Sequence, residues 1–401
     1  MAPALTMKAP INATSVAARR RLESDTSLPI ITQGWPPHPR GRSDRARRAP
    51  SGRGRAGQES RPDPYNPCVL ARAGAWLDRA AFNPASLPDD LIVGIALIPP
   101  VAAGLIIFKL PAVEMLGAAL AFGIGGQVLV HLLWRRQIAR PQASPLIAAV
   151  FGTALVGAGA PIAITIAISA LAVILEIVRA RYVPAIRAQV GVLAYAAVAL
   201  VTRGGPFAYV NPVTGHPFAD PIGIWYHYFG PQAGPIDAVR LYVGNVPGPV
   251  FATSFLAIAI AIAWLAYARR LSLVVLAAFL FGALVPIYLF HWDPVFQLDS
   301  GPTWFVAGLL LADRRLLPGS WAVRPVIGLV GGVLALGLRA RGYGIEAAFF
   351  TVAGIQAAMA VVSVIMWSAA LMRERWQRNR RLKQREAQLR VVKDGSISQA
   401  G

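Results

Sequence analysis

The sequence predicts an all-α, polytopic integral membrane protein of about ten transmembrane helices, preceded by a disordered tail. Three observations carry that prediction. Of the 401 residues, 55% are hydrophobic and 14% charged, with a mean hydropathy of +0.51, a balance that water-soluble domains of this length do not show. From Leu91 onward, apolar runs long enough to cross a bilayer follow one another with short polar connections between them. Lys and Arg gather in the tails and in alternate connections, as they do where cytoplasmic loops retain positive charge during insertion.

Taken in order, residues 1–85 form a basic, Arg- and Pro-rich tail with no apolar periodicity, exemplified by Arg40-Gly-Arg-Ser-Asp-Arg-Ala-Arg-Arg48. Such a segment has too little apolar surface to offset its ordering entropy, so it is expected to be disordered. It lacks the apolar core of a secretory signal and the amphipathic pattern of a transit peptide; an overlong translation start is the plainer alternative. The membrane domain is expected over 90–371, with spans near 91–109, 112–133, 144–161, 162–178, 188–203, 249–268, 272–291, 303–313, 322–339 and 345–371. Pro161, preceded by Gly157 and Gly159, divides what otherwise reads as one long helix. The connection 204–248 is far longer than the rest and rich in Pro, Gly and aromatics, a composition and length that mark a functional loop. Residues 372–401 close the chain as a basic tail.

Charge placement sets the topology. With both tails cytoplasmic, the inner connections hold Arg135, Arg136, Arg140, Arg179, Arg181, Arg187, Arg269, Arg270, Arg314, Arg315 and Arg324, against Lys109, Arg203, Arg240, Arg339 and Arg341 outside. Residues 1–90 and 372–401 supply +12 of the formal +20, and the remainder lies mostly in short connections, which argues against a nucleic-acid surface. The natural partner of the basic C-terminal segment is anionic lipid.

Few residues offer chemistry. Cys68 is the single cysteine and has no neighbouring thiol or histidine, so thiolate-held metal is excluded within the chain, and no catalytic residue or metal site is expected. His227 and His291 share a side of the membrane as haem ligands would, yet interfacial hydrogen bonding is the simpler reading. Ionisable groups near helix ends, Lys109, Glu114, Glu176 and Glu346, are all placed to reach an interface. The clustered glycines at 123–126 and 328–332 permit close helix contact, and Trp134, Trp264, Trp292, Trp304 and Trp321 read as interface anchors.

Three segments resemble a known family. Ser144-Pro-Leu-Ile-Ala-Ala-Val resembles a Ser-Pro-Leu opening of a broken helix pair. Gly244-Asn-Val-Pro-Gly-Pro-Val-Phe-Ala-Thr-Ser-Phe-Leu-Ala-Ile through Arg269-Arg270 looks like a Gly-Asn…Thr-Ser-x-Leu-Ala helix start with its basic turn. Ser300 to Asp313, Gly328 to Arg339, and Gly342-Tyr-Gly-Ile-Glu346 with Gln356 are similar to its remaining landmarks. The family is that of the RnfD subunit of Rnf complexes and the NqrB subunit of the sodium-pumping NADH:quinone oxidoreductase. The resemblance implies a membrane subunit of an electron-transfer complex in a bacterial inner membrane, with partner subunits, FMN as cofactor and cation movement coupled to electron flow. Many members carry FMN as a phosphoester on the last threonine of an Asp-x-x-Ser/Thr-Gly-Ala-Thr motif in the loop matching 204–248. Here that position is Pro217, which has no hydroxyl, so FMN is expected non-covalently rather than covalently. The candidate cofactor residues are Thr214 and His216 in the motif's segment, Trp225 and Tyr226 as an aromatic wall, and Thr303 in the similar Ser300-Gly-Pro-Thr303.

Tyr182-Val-Pro184-Ala185 and Ala312-Asp313-Arg314 depart from the family's Asn-Pro-Ala and Thr-Asp-Pro, as in RnfD-like proteins repurposed beside biosynthetic genes. As an enzyme the chain is at most a subunit of a redox-driven complex. A permease using broken helices, and a membrane anchor without cofactor, are the alternative readings.

Overall fold

The computed structural model describes residues 84, 87–134, 143–223, 238–299 and 302–398. The expected disordered tail, apart from Pro84, lies outside the described residues, as do Arg135, Arg136 and Arg140. Among the described residues the chain is helical, with isolated β-bridges and no strand. The apolar helices are α1 (Asp89–Phe108), α2 (Leu110–Leu133), α3 (Pro145–Ala154), α4 (Ile162–Tyr182) and α5 (Val190–Val201), then, after the short α6 (Ala238–Val243), α7 (Phe255–Tyr267) and α8 (Leu273–Leu289). Short α9 (Pro294–Asp299) leads to α10 (Thr303–Phe305), which runs on as a π-helix over Val306–Leu311. The chain ends in α11 (Val323–Gly337) with a 3-10 turn at Leu338–Arg341, and α12 (Glu346–Ser398).

The apolar segments lie where the sequence places them, and five of the ten expected spans are borne out as helices of crossing length. Five, Asp89–Phe108, Leu110–Leu133, Ile162–Tyr182, Val323–Arg341 and Glu346–Gln384, are long and apolar enough to cross a membrane among the described residues. The 10-residue α3 reaches only about 15 Å, half the hydrocarbon thickness. The expected span 303–313 is broken differently, by the α-to-π change after Phe305. The C-terminal tail is not separate from the last span; α12 continues through both as one 53-residue helix.

Where α3 stops, the chain does not leave the bundle. Residues 153–158 are buried and non-helical from Leu155, and they meet a second buried, irregular stretch at 246–254. Their backbones satisfy one another: Val250 N donates to Val156 O at 2.9 Å and Phe251 N to Ala154 O at 3.3 Å, around an antiparallel bridge between Gly157 and Pro249. Gly157 N and Gly159 N donate to Pro206 O and Ala208 O at 2.9 and 2.8 Å. Non-helical backbone at membrane depth is stable only when buried in protein and paired in this way.

A polar network closes one end of the bundle. Glu176, expected to reach an interface, is instead buried, accepting from Ser144 N at 2.8 Å and from Arg179 Nη2 at 2.7 Å. Ser144 Oγ also bonds Asp90, Arg270 pairs with Asp89, and Arg315 pairs with Asp313 at 2.8 Å. The starts of α1 and α3 are thereby tied to the end of α4 and to the connections on either side of α8 and the π-helix. The tryptophans are not uniformly interface anchors. Trp134 and Trp292 are buried, Trp264 Nε1 donates to Ile92 O at 3.0 Å to fasten α7 to α1, and Trp321, at 79% exposure, stands free of the core.

The most extensive helix pairing, α8 against α11, depends on absent side chains. A Cβ at Gly332 would lie 2.0 Å from Phe279 O, whereas one at Gly337 would meet nothing within 4 Å. Gly332→Ala is therefore expected to force the helices apart and cost about 1–3 kcal/mol or more. Gly337→Ala, which gains helix propensity without a clash, leaves stability unchanged or raised by up to about 1 kcal/mol. Thermal unfolding of the two variants in detergent checks the contrast; equal losses contradict it.

Candidate functional site at the Arg339 end

The turns after α5, α9 and α11 meet at the end of the bundle opposite Glu176. Arg339, which loop charge counting places in an outer connection, is fully buried in the 3-10 turn. Its Nη1 donates to Gln297 O at 2.6 Å and Gln297 Oε1 at 3.0 Å, and its Nη2 to Thr303 Oγ1 at 3.0 Å. A guanidinium suits this position because its planar fork can satisfy several acceptors held by different elements at once. Beside it, Asp299 accepts from Trp304 Nε1 at 3.0 Å.

Two carboxylates lie within electrostatic reach of Arg339. Asp220 Oδ2 accepts from Ile222 N, Gly223 N and Ile345 N at 3.2–3.3 Å, which fixes the 204–223 loop onto the α11–α12 turn. Glu346 Oε1 accepts from Gly344 N at 3.2 Å. The carboxylates converge on one face of Gly344: a Cβ there would stand 2.6 Å from Glu346 Oε2 and 3.0 and 3.1 Å from the Asp220 oxygens. Burial pushes the Asp220 carboxyl above its ordinary range, against the opposing pull of the three N–H groups and Arg339. The hydroxyls of Tyr195 and Tyr209 approach the same region, where Glu346 acts on both and Asp220 on that of Tyr209. Both are buried, and they approach one another without reaching hydrogen-bonding geometry.

The candidate cofactor residues are dispersed. Thr214 and His216 occupy the exposed tip of a turn in which Asn211 N donates to His216 O, Gly215 N to Asn211 O and Val213 N to Asn211 Oδ1, at 2.8–2.9 Å. Open space surrounds Gly215, so no described side chain walls a ring there. Thr303 is fully buried, and its hydroxyl is engaged by Arg339. A phosphoester at that oxygen would displace the guanidinium. Trp225, Tyr226 and His227 lie outside the described residues, and His291 is exposed. The described residues thus do not form a cradle for a flavin phosphate at either threonine.

Sequence reasoning found Glu346 and Thr303 but not their company. Arg339 carried the usable signal, an arginine directly at the end of an apolar helical run. Asp220, Gln297, Tyr195 and Tyr209 had no local mark, because loop folding alone brings them together.

Removing Arg339 leaves two carboxylates without their nearby cation and buried acceptors without a donor. Arg339→Met is expected to cost about 3–5 kcal/mol, and Arg339→Lys less, as charge survives while the fork is lost; thermal unfolding ranks them, and a milder effect for Met than Lys contradicts the assignment. Asp220 yields a pH dependence. Because its folded-state affinity for a proton is raised, its favourable contribution is complete below the unfolded pKa of about 4 and is lost as pH rises through the folded value. The difference in Tm between the parent and Asp220→Asn is therefore expected to fall as pH rises at constant ionic strength, and a pH-independent difference refutes it.

The sequence is matched by a known family model. No curated protein matches the chain in sequence. The sequence model of the NQR2, RnfD, RnfE family matches residues 90–369, from the start of α1 through the membrane part of α12 and so across every element that builds both polar ends; the chain belongs to the NQR2, RnfD, RnfE family.

Proposed function

We propose that this protein is the membrane subunit of a redox-driven electron-transfer complex of a bacterial inner membrane, with both termini cytoplasmic, and that any FMN it carries is bound non-covalently. Family membership across residues 90–369 is the observation that carries the reading. The chain contributes a membrane scaffold and polar sites at its ends, and the partner subunits bring the remaining carriers. The Thr214 turn and the Arg339-engaged Thr303 support a non-covalent flavin, since neither offers a walled, free hydroxyl. Coupling to cation movement is part of the proposal and draws on the buried irregular crossing near Gly157 and Pro249, because broken helices expose backbone and polar groups where continuous helices hide them.

A permease is the second reading, favoured by the same crossing. One experiment separates the two. The protein is purified in detergent with its native partners, and flavin absorption is followed before and after acid denaturation. Flavin that leaves the polypeptide in acid is the expected result. Flavin that stays bonded to the chain overturns the non-covalent assignment, and a stoichiometric preparation with neither flavin nor redox partners favours the permease.

A further inference from the structure

We propose that the groove between the last turns of α8 and α11 binds one anionic phospholipid, with an acyl chain in the groove and the headgroup phosphate on Arg341. The two helices run side by side in the same direction and touch where side chains are missing. A Cβ at Gly328 would lie 2.4 Å from Val275 O, and one at Gly332, four residues on, 2.0 Å from Phe279 O. At Gly337 that close approach has ended, and a Cβ there would meet nothing within 4 Å. What opens is a cavity of about 390 Å³, lined by Val285, Leu289 and Phe290 on α8 and by Val333, Gly337 and Arg341 on α11 and its 3-10 turn. That volume lies within the ~300–1,000 Å³ typical of sites for small molecules. Phe290 makes a fixed wall, since its ring stacks on that of buried Trp292 at 5.1 Å.

Depth and charge select the ligand. The apolar span Val323–Arg341 has 19 residues and rises about 30 Å, the thickness of the hydrocarbon layer, so Arg341 stands at headgroup level with the groove directly beneath it. From Val333 to Arg341 the helix rises roughly 12–14 Å, which keeps the groove within one leaflet. Val285, Leu289 and Phe290 are 46%, 67% and 43% exposed, an apolar surface suited to an acyl chain. Arg341 is also exposed and makes no hydrogen bond or ion pair among the described residues, whereas the same 3-10 turn directs Arg339 inward onto Gln297 and Thr303. A guanidinium fork matches the oxygens of a phosphate. A headgroup of net negative charge keeps that attraction, and a zwitterionic one offsets it with its own amine.

The site is tested by linkage, because a ligand that binds only the folded state raises its stability. Thermal unfolding of the full chain in detergent is followed in rising dioleoylphosphatidylglycerol, against dioleoylphosphatidylcholine at equal mole fraction. A saturable rise in Tm of ~2 °C or more with the anionic lipid, not reproduced by the zwitterionic one, is expected. Gly337→Phe puts a ring into the groove from a position whose Cβ has open space, and Arg341→Gln removes the charge. Both variants are expected to unfold like the parent without lipid and to lose most of the rise. The basic end of α12 is unchanged in both, so lipid held there contributes equally to parent and variants. Coincident curves for the two lipids overturn the proposal, as does an undiminished rise in either variant or a rise that inorganic phosphate alone reproduces. No electron transfer enters the measurement, so its failure leaves the redox reading standing.

Discussion

Hydrocarbon offers no hydrogen-bond partner, so each bend of backbone inside the bundle must be satisfied by another part of the same chain. That constraint shapes the fold more than helix propensity does. The α3 helix can stop after Ala154 because the 246–254 stretch supplies Val250 N and Phe251 N to the carbonyls it leaves behind, and because the loop after α5 supplies Pro206 O and Ala208 O to the glycine amides beyond. The π-helix is treated alike. Its Leu310 carbonyl takes a hydrogen bond from Gln356 Nε2 at 2.8 Å, and the same fully buried glutamine accepts from Gln189 N at 2.9 Å, tying the start of α5 to α12. Shortened helices are tolerated here only because distant segments are delivered to their ends.

The same delivery creates the two polar ends. Around Glu176, charges are paired directly, with Arg179, Arg270 and Arg315 each facing a carboxylate. Around Arg339 the balance differs: the guanidinium donates to the neutral acceptors Gln297 and Thr303, while the carboxylates of Asp220 and Glu346 accept from backbone N–H groups. A directly paired network behaves as a clasp.

Much of this was legible in the sequence, and the remainder was not for definite reasons. Apolar runs located the helices, several of them to within a few residues, and Pro161 marked a real break, since helix α4 begins just after it. Residues from different connections gather in two separate clusters, Glu176 and Asp90 on Ser144 with Arg315 beside Asp90, and Asp220 and Glu346 near Arg339. Helix length was overread at 144–161 and 303–313, because hydropathy cannot distinguish a buried irregular segment from a lipid-crossing helix. Arg339 was misread for a related reason. An arginine at the end of an apolar run usually snorkels to water, and only three-dimensional proximity to Gln297 and Thr303 turns it inward.

The short helices carry a further consequence for the barrier between the ends. Ser144, bonded to Asp90, begins α3, and ten residues later the chain reaches the crossing whose glycines bond the stretch just before Tyr209. Thr303, bonded to Arg339, begins the α-to-π segment, and ten residues later Asp313 pairs with Arg315. Ten helical residues rise about 15 Å, half of a bilayer's hydrocarbon thickness. On both stretches, then, helix covers at most half as many residues as in α1, α2 or α4, and buried irregular or polar backbone completes the distance.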